Sequence, residues 1–238
     1  MRLDRLLANL GYGSRREVQG LMARGQVRLD GAILRDPSAH VTPAADLPTR
    51  MTVVGQPIDP PSPLNLILYK PLGVVCSHHE AGRSVYELFP ERWRRREPAL
   101  STVGRLDADT SGLLLLTDDG PLLHRIISPK KATPKVYLAT LARPLSGQEG
   151  ELFASGILML DGEVKPLAPA VLEPLSETSA RLTITEGRYH QVRRMFGAAG
   201  NHVIALHREA IGALALPADL APGDWQVATP EEIVAAGG

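Results

Sequence analysis

A proline-rich segment near residue 60 is the feature that most restricts how this chain can fold. Residues 55–64 read G-Q-P-I-D-P-P-S-P-L, with four prolines in seven residues. Proline lacks the backbone N–H that a helix interior or a central strand needs, and a run of prolines favours extended backbone. A chain of 238 residues is long enough for two small domains. We therefore predict a linker at residues 59–64 between a domain over residues 1–58 and a domain over residues 65–238.

Residues 1–35 predict two short helices followed by a β-hairpin. Leucines recur at helical spacing from Leu3 to Leu10, and Ser14 with Glu17 three residues later forms a capping-box pattern. The pair Asp30-Gly31 between apolar residues predicts a hairpin turn. The polar positions are rich in arginine, which is typical of a phosphate-contacting module and is also open to interpretation as a helical module with solvated arginines. The candidate RNA-contacting residues of this segment are Arg2, Arg5, Arg15, Arg16 and Arg24.

The remainder of the chain predicts an α+β domain. Short apolar segments separated by turn residues outnumber helical patterns, which favours a mixed, mostly antiparallel sheet over a doubly wound one. Ser146 with Glu149 repeats the capping-box pattern before a helix, and Asp161-Gly162 predicts a second hairpin. The predicted strands are 64–69, 113–117, 136–141, 181–185 and 203–206, and the predicted helices are 122–127, 146–153 and 189–199.

Positive charge is concentrated in parts of a chain whose formal net charge is zero. Lysine and arginine together number 26, as do aspartate and glutamate. Residues 124–135 carry four basic side chains and no acidic one, residues 181–208 carry five arginines, and residues 217–238 carry four acidic side chains and no basic one. A positive face attracts phosphate even on a neutral protein, so a nucleic-acid partner is one interpretation of this pattern. The simpler interpretation is that these charges are ordinary solvated surface.

The sequence argues against several other classes of protein. Cys76 is the one cysteine, which excludes an internal disulfide and a cysteine-based zinc site and fits a reducing cytosol. No apolar run is long enough to span a membrane, and the chain has no signal-peptide pattern. The glycine-rich motifs of nucleotide binding are absent. We therefore expect a cytoplasmic protein with no nucleotide cofactor, no metal, no membrane partner and no obligate interface, hence a monomer.

A polar loop, Gly104–Gly112, comes directly before an apolar strand and carries Asp107. A carboxylate on a loop held by a buried strand is well placed for catalysis, although an aspartate that stabilises a turn is the commoner case. Asp107 and Asp109 could also be the acid and base of a glycosidase, but such carboxylates usually lie about 5–10 Å apart on different elements. The residues alone leave these roles of Asp107 open.

Three motif blocks resemble the RNA pseudouridine synthases related to the bacterial small-subunit rRNA enzyme. The loop and its strand read G-R-L-D-A-D-T-S-G-L-L-L-L-T-D-D-G, Lys135–Tyr137 are similar to the family's K-x-Y strand, and Glu186–Met195 are similar to its basic motif. The arginine-rich amino-terminal segment resembles the S4 RNA-binding domain, which this family carries in the same place. Four blocks that contain histidine are most similar to the branch of the family named for pseudouridine(516) of 16S rRNA. They lie at residues 124–129, 188–192, 200–203 and 206–209.

The resemblance implies that a uridine in folded RNA is isomerised to pseudouridine without a cofactor. Asp107 is then the essential carboxylate, as nucleophile or as general base, and Arg193 pairs with it. Tyr137 is then the ring that stacks on the target base and is placed to move a proton. Because the target must leave its stack, Arg105 beside the loop is the candidate for holding the flipped RNA backbone. Further RNA-contacting candidates are Lys130, Lys131, Lys135, Arg188 and Arg194, the last equally open to interpretation as a solvated arginine.

Two other functions stay open beside modification of 16S rRNA or of a small-subunit assembly intermediate. One is a non-catalytic rRNA-binding or ribosome-assembly factor on the same fold, and the other is the same chemistry on 23S rRNA. His190, His202 and His207 could form a metal site, but they lack H-x-x-x-H spacing. We therefore expect structural or RNA-contacting roles for these histidines.

Overall fold

The chain folds into two compact units in the computed structural model, which describes residues 1–77 and 81–238. The first unit comprises Met1–Asn65, Tyr86–Ser101 and Leu116–Gly120. The second unit comprises Leu66–Val85, Thr102–Leu115 and Pro121–Gly238. Across the described residues, no helix combines the length and the apolar character that crossing a membrane requires.

The first unit begins with the two helices that its sequence predicts, α1 (Leu3–Asn9) and α2 (Arg15–Ala23). The hydroxyl of Ser14 accepts the backbone N–H of Glu17, and the Glu17 carboxylate accepts the backbone N–H of Ser14 at 2.7 Å, which completes the capping box. Burial of each aliphatic side chain between these helices contributes about 1.5–3 kcal/mol. The buried core of this unit contains Leu3, Leu6, Leu7, Leu10, Val18, Met22, Val27, Leu47, Met51, Val53 and Ile58.

A small sheet completes the amino-terminal segment. The predicted hairpin forms with a two-residue turn, in which Asp30 and Gly31 have φ angles of 49° and 79°. Positive φ at both positions is the type I′ geometry that matches the twist of a hairpin. The strands follow the order β2-β1-β3-β4. The elements are β1 (Val27–Leu29), β2 (Ala32–Ile33), α3 (Leu47–Arg50), β3 (Met51–Val53) and β4 (Gln56–Pro57).

Two segments from beyond the proline-rich stretch belong to the first unit. Arg92 pairs with Asp59, and Arg96 pairs with Asp118 at 3.2 Å with both side chains almost fully buried. The same Asp118 carboxylate accepts the backbone N–H of Leu64 at 2.7 Å. These bonds fix residues 59–64 inside this unit. The domain boundary at 59–64 stays a prediction.

A large mixed sheet dominates the second unit. In the described residues it has nine strands, in the order β11-β12-β10-β13-β9-β5-β15, with β14 beside β13 and β8 beside β9. Strand β13 runs parallel to β9 and antiparallel to β10, and the β10–β12, β11–β12 and β5–β15 pairs are antiparallel. The predicted α+β class with a mostly antiparallel mixed sheet is confirmed. The strands of this sheet are β5 (Asn65–Lys70), β8 (Ser101–Thr102), β9 (Thr110–Thr117), β10 (Lys135–Leu141), β11 (Val171–Ser176), β12 (Ser179–Ile184), β13 (Val203–Ile211), β14 (Leu214–Ala215) and β15 (Trp225–Val227). A separate parallel pair is formed by β6 (Val74–Val75) and β7 (Arg83–Ser84).

Helices cover this sheet. Phe153 and Phe196, from two different helices, meet edge to face with ring centroids 5.3 Å apart, and both are buried. This contact holds the helix that carries Arg193. The helices are α4 (Gly120–Ile127), α5 (Glu149–Ala154), α6 (Gln191–Ala198) and α7 (Pro230–Ala235), and short 3₁₀ turns lie at Val85–Leu88, Glu91–Arg95 and Pro129–Lys131.

Two local predictions for this unit are wrong in whole or in part. Only half of the second capping box forms: the Glu149 carboxylate accepts the Ser146 N–H, but the Ser146 hydroxyl accepts the N–H of Gln148 and not that of Glu149, and α5 begins only at Glu149. The Asp161-Gly162 pair makes a turn without flanking strands. Its backbone is held by side chains instead of a partner strand, since the Asp161 carbonyl accepts from Arg194.

Candidate active site

A cavity of about 730 Å³ lies in the second unit beside the Asp107 loop. Its volume is in the range of pockets that enclose a small organic ligand. The cavity is lined by residues from the loop before β9, the end of α4, strands β10 and β13, and the turn that leads into α6. Six of the site residues that the sequence predicts line this cavity, from three separate parts of the chain: Arg105, Asp107, Lys135, Tyr137, Arg188 and Arg193.

Backbone contacts fix the loop that carries Asp107. The Thr110 N–H donates to the Asp107 carbonyl at 3.0 Å, and the Gly73 N–H donates to the Ala108 carbonyl at 2.7 Å. The Leu106 N–H donates to the thiol sulfur of buried Cys76 at 3.4 Å. These bonds hold the loop in place. The Asp107 side chain is 34% exposed, so its carboxylate is still open to a ligand.

Arg193 contacts this loop at a different carboxylate from the one expected. Its Nη2 donates to the carbonyl oxygen of Asp109 at 3.0 Å and lies 3.0 Å from the Asp109 carboxylate, while its Nη1 donates to the Val203 carbonyl. The expectation that Arg193 pairs with Asp107 is therefore wrong for this structure. The guanidinium is instead held by the Asp109 carbonyl and carboxylate, two residues beyond Asp107, and by the Val203 carbonyl.

His190 is the cation-capable side chain that meets Asp107. Its Nε2 lies 3.4 Å from Oδ1 of Asp107, and its ring stacks on Tyr189 with centroids 3.9 Å apart. His190 precedes α6 in a left-handed conformation, with φ of 47°. This backbone angle directs the imidazole toward the loop, and no sequence pattern identifies it. Sequence reasoning therefore missed the contact.

Tyr137 lies on β10 and lines the cavity. The side chain is buried, and the hydroxyl is 3.5 Å from Nη1 of Arg208 on the adjacent strand β13. Arg208 is 1% exposed and donates from Nε to the Leu113 carbonyl at 2.8 Å. Sequence reasoning did not select Arg208 as a site residue, because a buried arginine and a solvated one look alike in a sequence.

Two lysines add positive charge next to these groups. Nζ of Lys70, which is fully buried, donates to the carbonyls of Pro71 and Thr110. Burial lowers the pKa of Lys70 below its ordinary value, and the nearby Cys76 thiol and Asp107 carboxylate act in the opposite direction. Burial also lowers the pKa of Lys135, and the charge of Arg208 adds to that effect.

Several polar atoms around the cavity lack a hydrogen-bond partner. Among the described residues, Oγ1 of Thr110, Nε of Arg193 and Nη2 of Arg208 are buried and unpaired. All three residues line the cavity. Unpaired buried polar atoms cost free energy. They are not confined to the cavity, because Nε and Nη1 of Arg96 in the first unit are also buried and unpaired.

The other predicted RNA-contacting residues of the second unit differ in their surroundings. Arg188 and Arg194 both pair with Glu163, at 3.1 and 3.0 Å, and are held by these intramolecular bonds. Lys130 and Lys131 are exposed on the turn after α4, and Lys135 and Arg188 line the cavity.

The predicted arginines of the first unit also differ from one another. Arg2 and Arg15 pair with the buried Asp4 carboxylate, whose pKa they hold well below its usual range. Arg24 donates to Gln26, while Arg5 and Arg16 are exposed.

The histidines considered as metal ligands are dispersed. His207 Nδ1 lies 2.9 Å from the Ser111 hydroxyl, and His202 is exposed. Within residues 1–77 and 81–238, no group of three or more His, Cys, Asp or Glu side chains is arranged to hold a metal ion.

Comparison with known proteins accounts for both units. A family model described as RNA pseudouridylate synthase matches residues 65–198, and an S4 domain model matches residues 1–47. The chain belongs to the RNA pseudouridine synthase family. Members of this family are isomerases, so the resemblance seen in the motif blocks is confirmed.

The similarity extends over nearly the whole chain. Ribosomal small subunit pseudouridine synthase A of Escherichia coli is 43% identical over 98% of both chains. An uncharacterized RNA pseudouridine synthase of Bacillus subtilis is 40% identical over 98% of this chain and 97% of its own. A crystal structure of a pseudouridylate synthase is 36% identical, covers 99% of both chains and superposes with a TM-score of 0.69. The similarity therefore includes both segments that the family models match, residues 1–47 and 65–198.

Proposed function

We propose that this protein isomerises one uridine of 16S rRNA to pseudouridine, at the position that corresponds to the pseudouridine(516) branch of the family. The observation that carries the proposal is the cavity in which Asp107, Tyr137 and Arg193 converge from three separate elements. The E. coli relative, which is 43% identical, is named for the small ribosomal subunit. The substrate is 16S rRNA, free or in an assembling particle.

The reaction needs an ionised carboxylate, a flipped base and a dry cavity. The N1–C1′ bond breaks, C5 joins C1′, and the net proton movement is from C5 to N1, so no redox cofactor enters the balance. In this proposal Asp107 is the nucleophile or general base, and its partly exposed carboxylate faces the flipped nucleotide. The Tyr137 ring packs on the uracil and moves a proton.

Arg193 acts in this proposal by holding the loop. Its two bonds to Asp109 and its bond to the Val203 carbonyl tie the loop to strand β13. A shift of about 1 Å at a catalytic group can cost on the order of a hundredfold in rate, so this brace supports the position of Asp107. The cations Arg105, Lys130 and Lys131 and the arginines of the first unit contact RNA phosphates.

Primer extension on 16S rRNA tests the proposal. The purified protein is incubated with free 16S rRNA and with partly assembled small-subunit particles, and pseudouridine is mapped after chemical derivatisation. We expect one new stop of reverse transcription with the unaltered protein and none with Asp107→Asn, because the amide can serve neither as nucleophile nor as base. The rate is expected to fall by at least about 10⁴-fold.

The matched control is Asp219→Asn, which removes an exposed carboxylate outside the cavity. It should leave the stop unchanged. Full activity of folded Asp107→Asn would refute the proposed mechanism. A stop on 23S rRNA in place of 16S rRNA would reassign the substrate, and tight rRNA binding with no stop on either RNA would favour the non-catalytic binding factor.

A further inference from the structure

The buried guanidinium of Arg208 has no carboxylate partner. Among the described residues it has no ion pair, its Nη2 is unpaired, and its remaining contacts are the neutral Leu113 carbonyl and Tyr137 hydroxyl. Arginine stays protonated in proteins, so a full positive charge is buried here. A buried unpaired charge is costly, and a fold keeps one only where something else compensates for it.

The backbone around Arg208 is built to hold it in this position. Arg208 is opposite Gly112 in the parallel β9–β13 pair, and a Cβ on Gly112 would lie 2.2 Å from the Arg208 carbonyl oxygen. The guanidinium lies beside the Tyr137 hydroxyl, and both residues line the cavity. The charge is therefore part of the wall of the cavity that holds the base in the proposed function.

The neighbouring charges do not neutralise it. Lys70 and Lys135 both interact electrostatically with Arg208, and both are cations. Two carboxylates line the cavity: Asp107 contacts His190, and Glu186 pairs with Arg188. The charged groups that act on the buried Arg208 guanidinium are therefore cations, and a positive field is strongest where side chains are buried away from water.

We propose that Arg208 is a positioning residue that stabilises the negative charge arising on the uracil ring during isomerisation, and that it acts through the Tyr137 hydroxyl and through its electric field. This inference rests on the proposed function. When the N1–C1′ bond breaks, its electron pair stays on the ring as N1 and carbonyl-oxygen charge. If Asp107 adds to the ring instead, the ring carries enolate charge. A buried cation beside the base stabilises either species and leaves neutral uridine little changed.

Single-turnover kinetics with saturating enzyme test this role. We expect Arg208→Gln to lower the single-turnover rate by about a hundredfold, the effect of removing one preorganised electrostatic group from an active site. RNA affinity, measured in an Asp107→Asn background at fixed salt, should change by less than about threefold, since ground-state binding does not use the charge. Arg208→Lys keeps the charge and should be at least about tenfold faster than Arg208→Gln.

Arg181→Gln is the matched control. Arg181 lies on β12, pairs with Glu173 and Glu209, and does not line the cavity. The single-turnover rate of Arg181→Gln should stay within about twofold of the rate of the unaltered protein. The inference is overturned if folded Arg208→Gln is within threefold of the unaltered rate, or if Arg208→Lys is no faster than Arg208→Gln.

A second measurement does not depend on the folding of an Arg208 variant. RNA with 6-azauridine at the target site carries a ring that loses its N3 proton near neutral pH. In the Asp107→Asn background, affinity for this RNA relative to the uridine RNA should rise between pH 6 and pH 8 as the ring becomes anionic. If the ratio of the two affinities does not change with pH, the inference is overturned. A lack of any pseudouridine from the unaltered protein would instead count against the proposed function.

Discussion

Arg193 and Arg194 are neighbours on α6, yet their guanidinium groups serve different parts of the second unit. Arg193 bonds to Asp109 and braces the loop of Asp107. Arg194 bonds to Glu163 and to the Asp161 carbonyl and braces a turn on the other side of the helix. Successive residues of a helix point about 100° apart, which is enough to separate their partners completely. The chemistry of a basic motif is therefore decided residue by residue.

The partial burial of His207 predicts that the stability of the second unit depends on pH. Burial lowers the pKa of His207 below the value of 6.5 that it has when exposed. Because the unfolded chain then binds the proton more tightly than the folded one, the free energy of unfolding falls as pH drops below about 6.5 and levels off below the folded-state pKa. We expect His207→Asn, which keeps a polar atom for the Ser111 hydroxyl, to flatten this fall.

Urea denaturation at pH 8, 6.5 and 5 measures the effect. The control is His124→Asn at an exposed histidine of α4, and it should leave the pH dependence of the unaltered protein in place. If both variants show the same pH profile, burial of His207 does not contribute to acid sensitivity.

At the scale of elements, the parallel β9–β13 contact is what assembles the cavity. It brings the loop before β9, with Asp107, next to the strand that carries Arg208, and β10 adds Tyr137 on the other side of β13. Gly112 permits the contact, because it has φ of 113° and because any Cβ there would meet Arg208 backbone atoms. Few other residues could hold this conformation, and none with a side chain could approach as closely.

Gly112→Ala should therefore destabilise the protein by at least about 2 kcal/mol more than Gly147→Ala. Gly147 also has positive φ, 87°, but nothing lies within 4 Å of a Cβ built there. The control thus isolates the cost of the backbone angle, about 1–2 kcal/mol, from the cost of the backbone clash. Chemical denaturation of both variants measures the difference, and equal destabilisation would show that the strands separate without cost.

At the scale of the whole molecule, zero net charge coexists with exposed basic residues in both units. In the first unit, Arg5 and Arg16 are exposed, whereas Arg2 and Arg15 pair with buried Asp4. Phosphate binding depends on such unneutralised charges and is weakened by salt through counterion release.

RNA affinity as a function of salt tests this distribution. Arg5→Gln and Arg16→Gln should each weaken binding by about threefold and reduce the slope of log K against log salt by about 0.7–0.9. Arg50→Gln is the control, since Arg50 is an exposed arginine of the same unit that pairs with both Asp30 and Asp46. Unchanged slopes for Arg5→Gln and Arg16→Gln would remove these two residues from the RNA interface.

The sequence by itself determined most of the local structure and the family. Leucine spacing and the Ser14–Glu17 box determined α1 and α2, and Asp30-Gly31 determined the hairpin, because these signals act between residues that are close in the chain. The local signal was met only in part at Ser146, whose hydroxyl bonds to the Gln148 N–H, so that α5 begins only at Glu149.

The tertiary structure decided which charged groups meet. That Arg193 bonds to Asp109, that His190 contacts Asp107, and that Arg208 is buried beside Tyr137 all depend on pairings between residues at least about 70 positions apart. The sequence contains every one of these residues, but a side chain's partner and its burial depend on strand order and on the direction of a helix face. Strand order and helix direction are properties of the packed sheet. They decide where the charged side chains of a recognisable motif lie and which groups they contact.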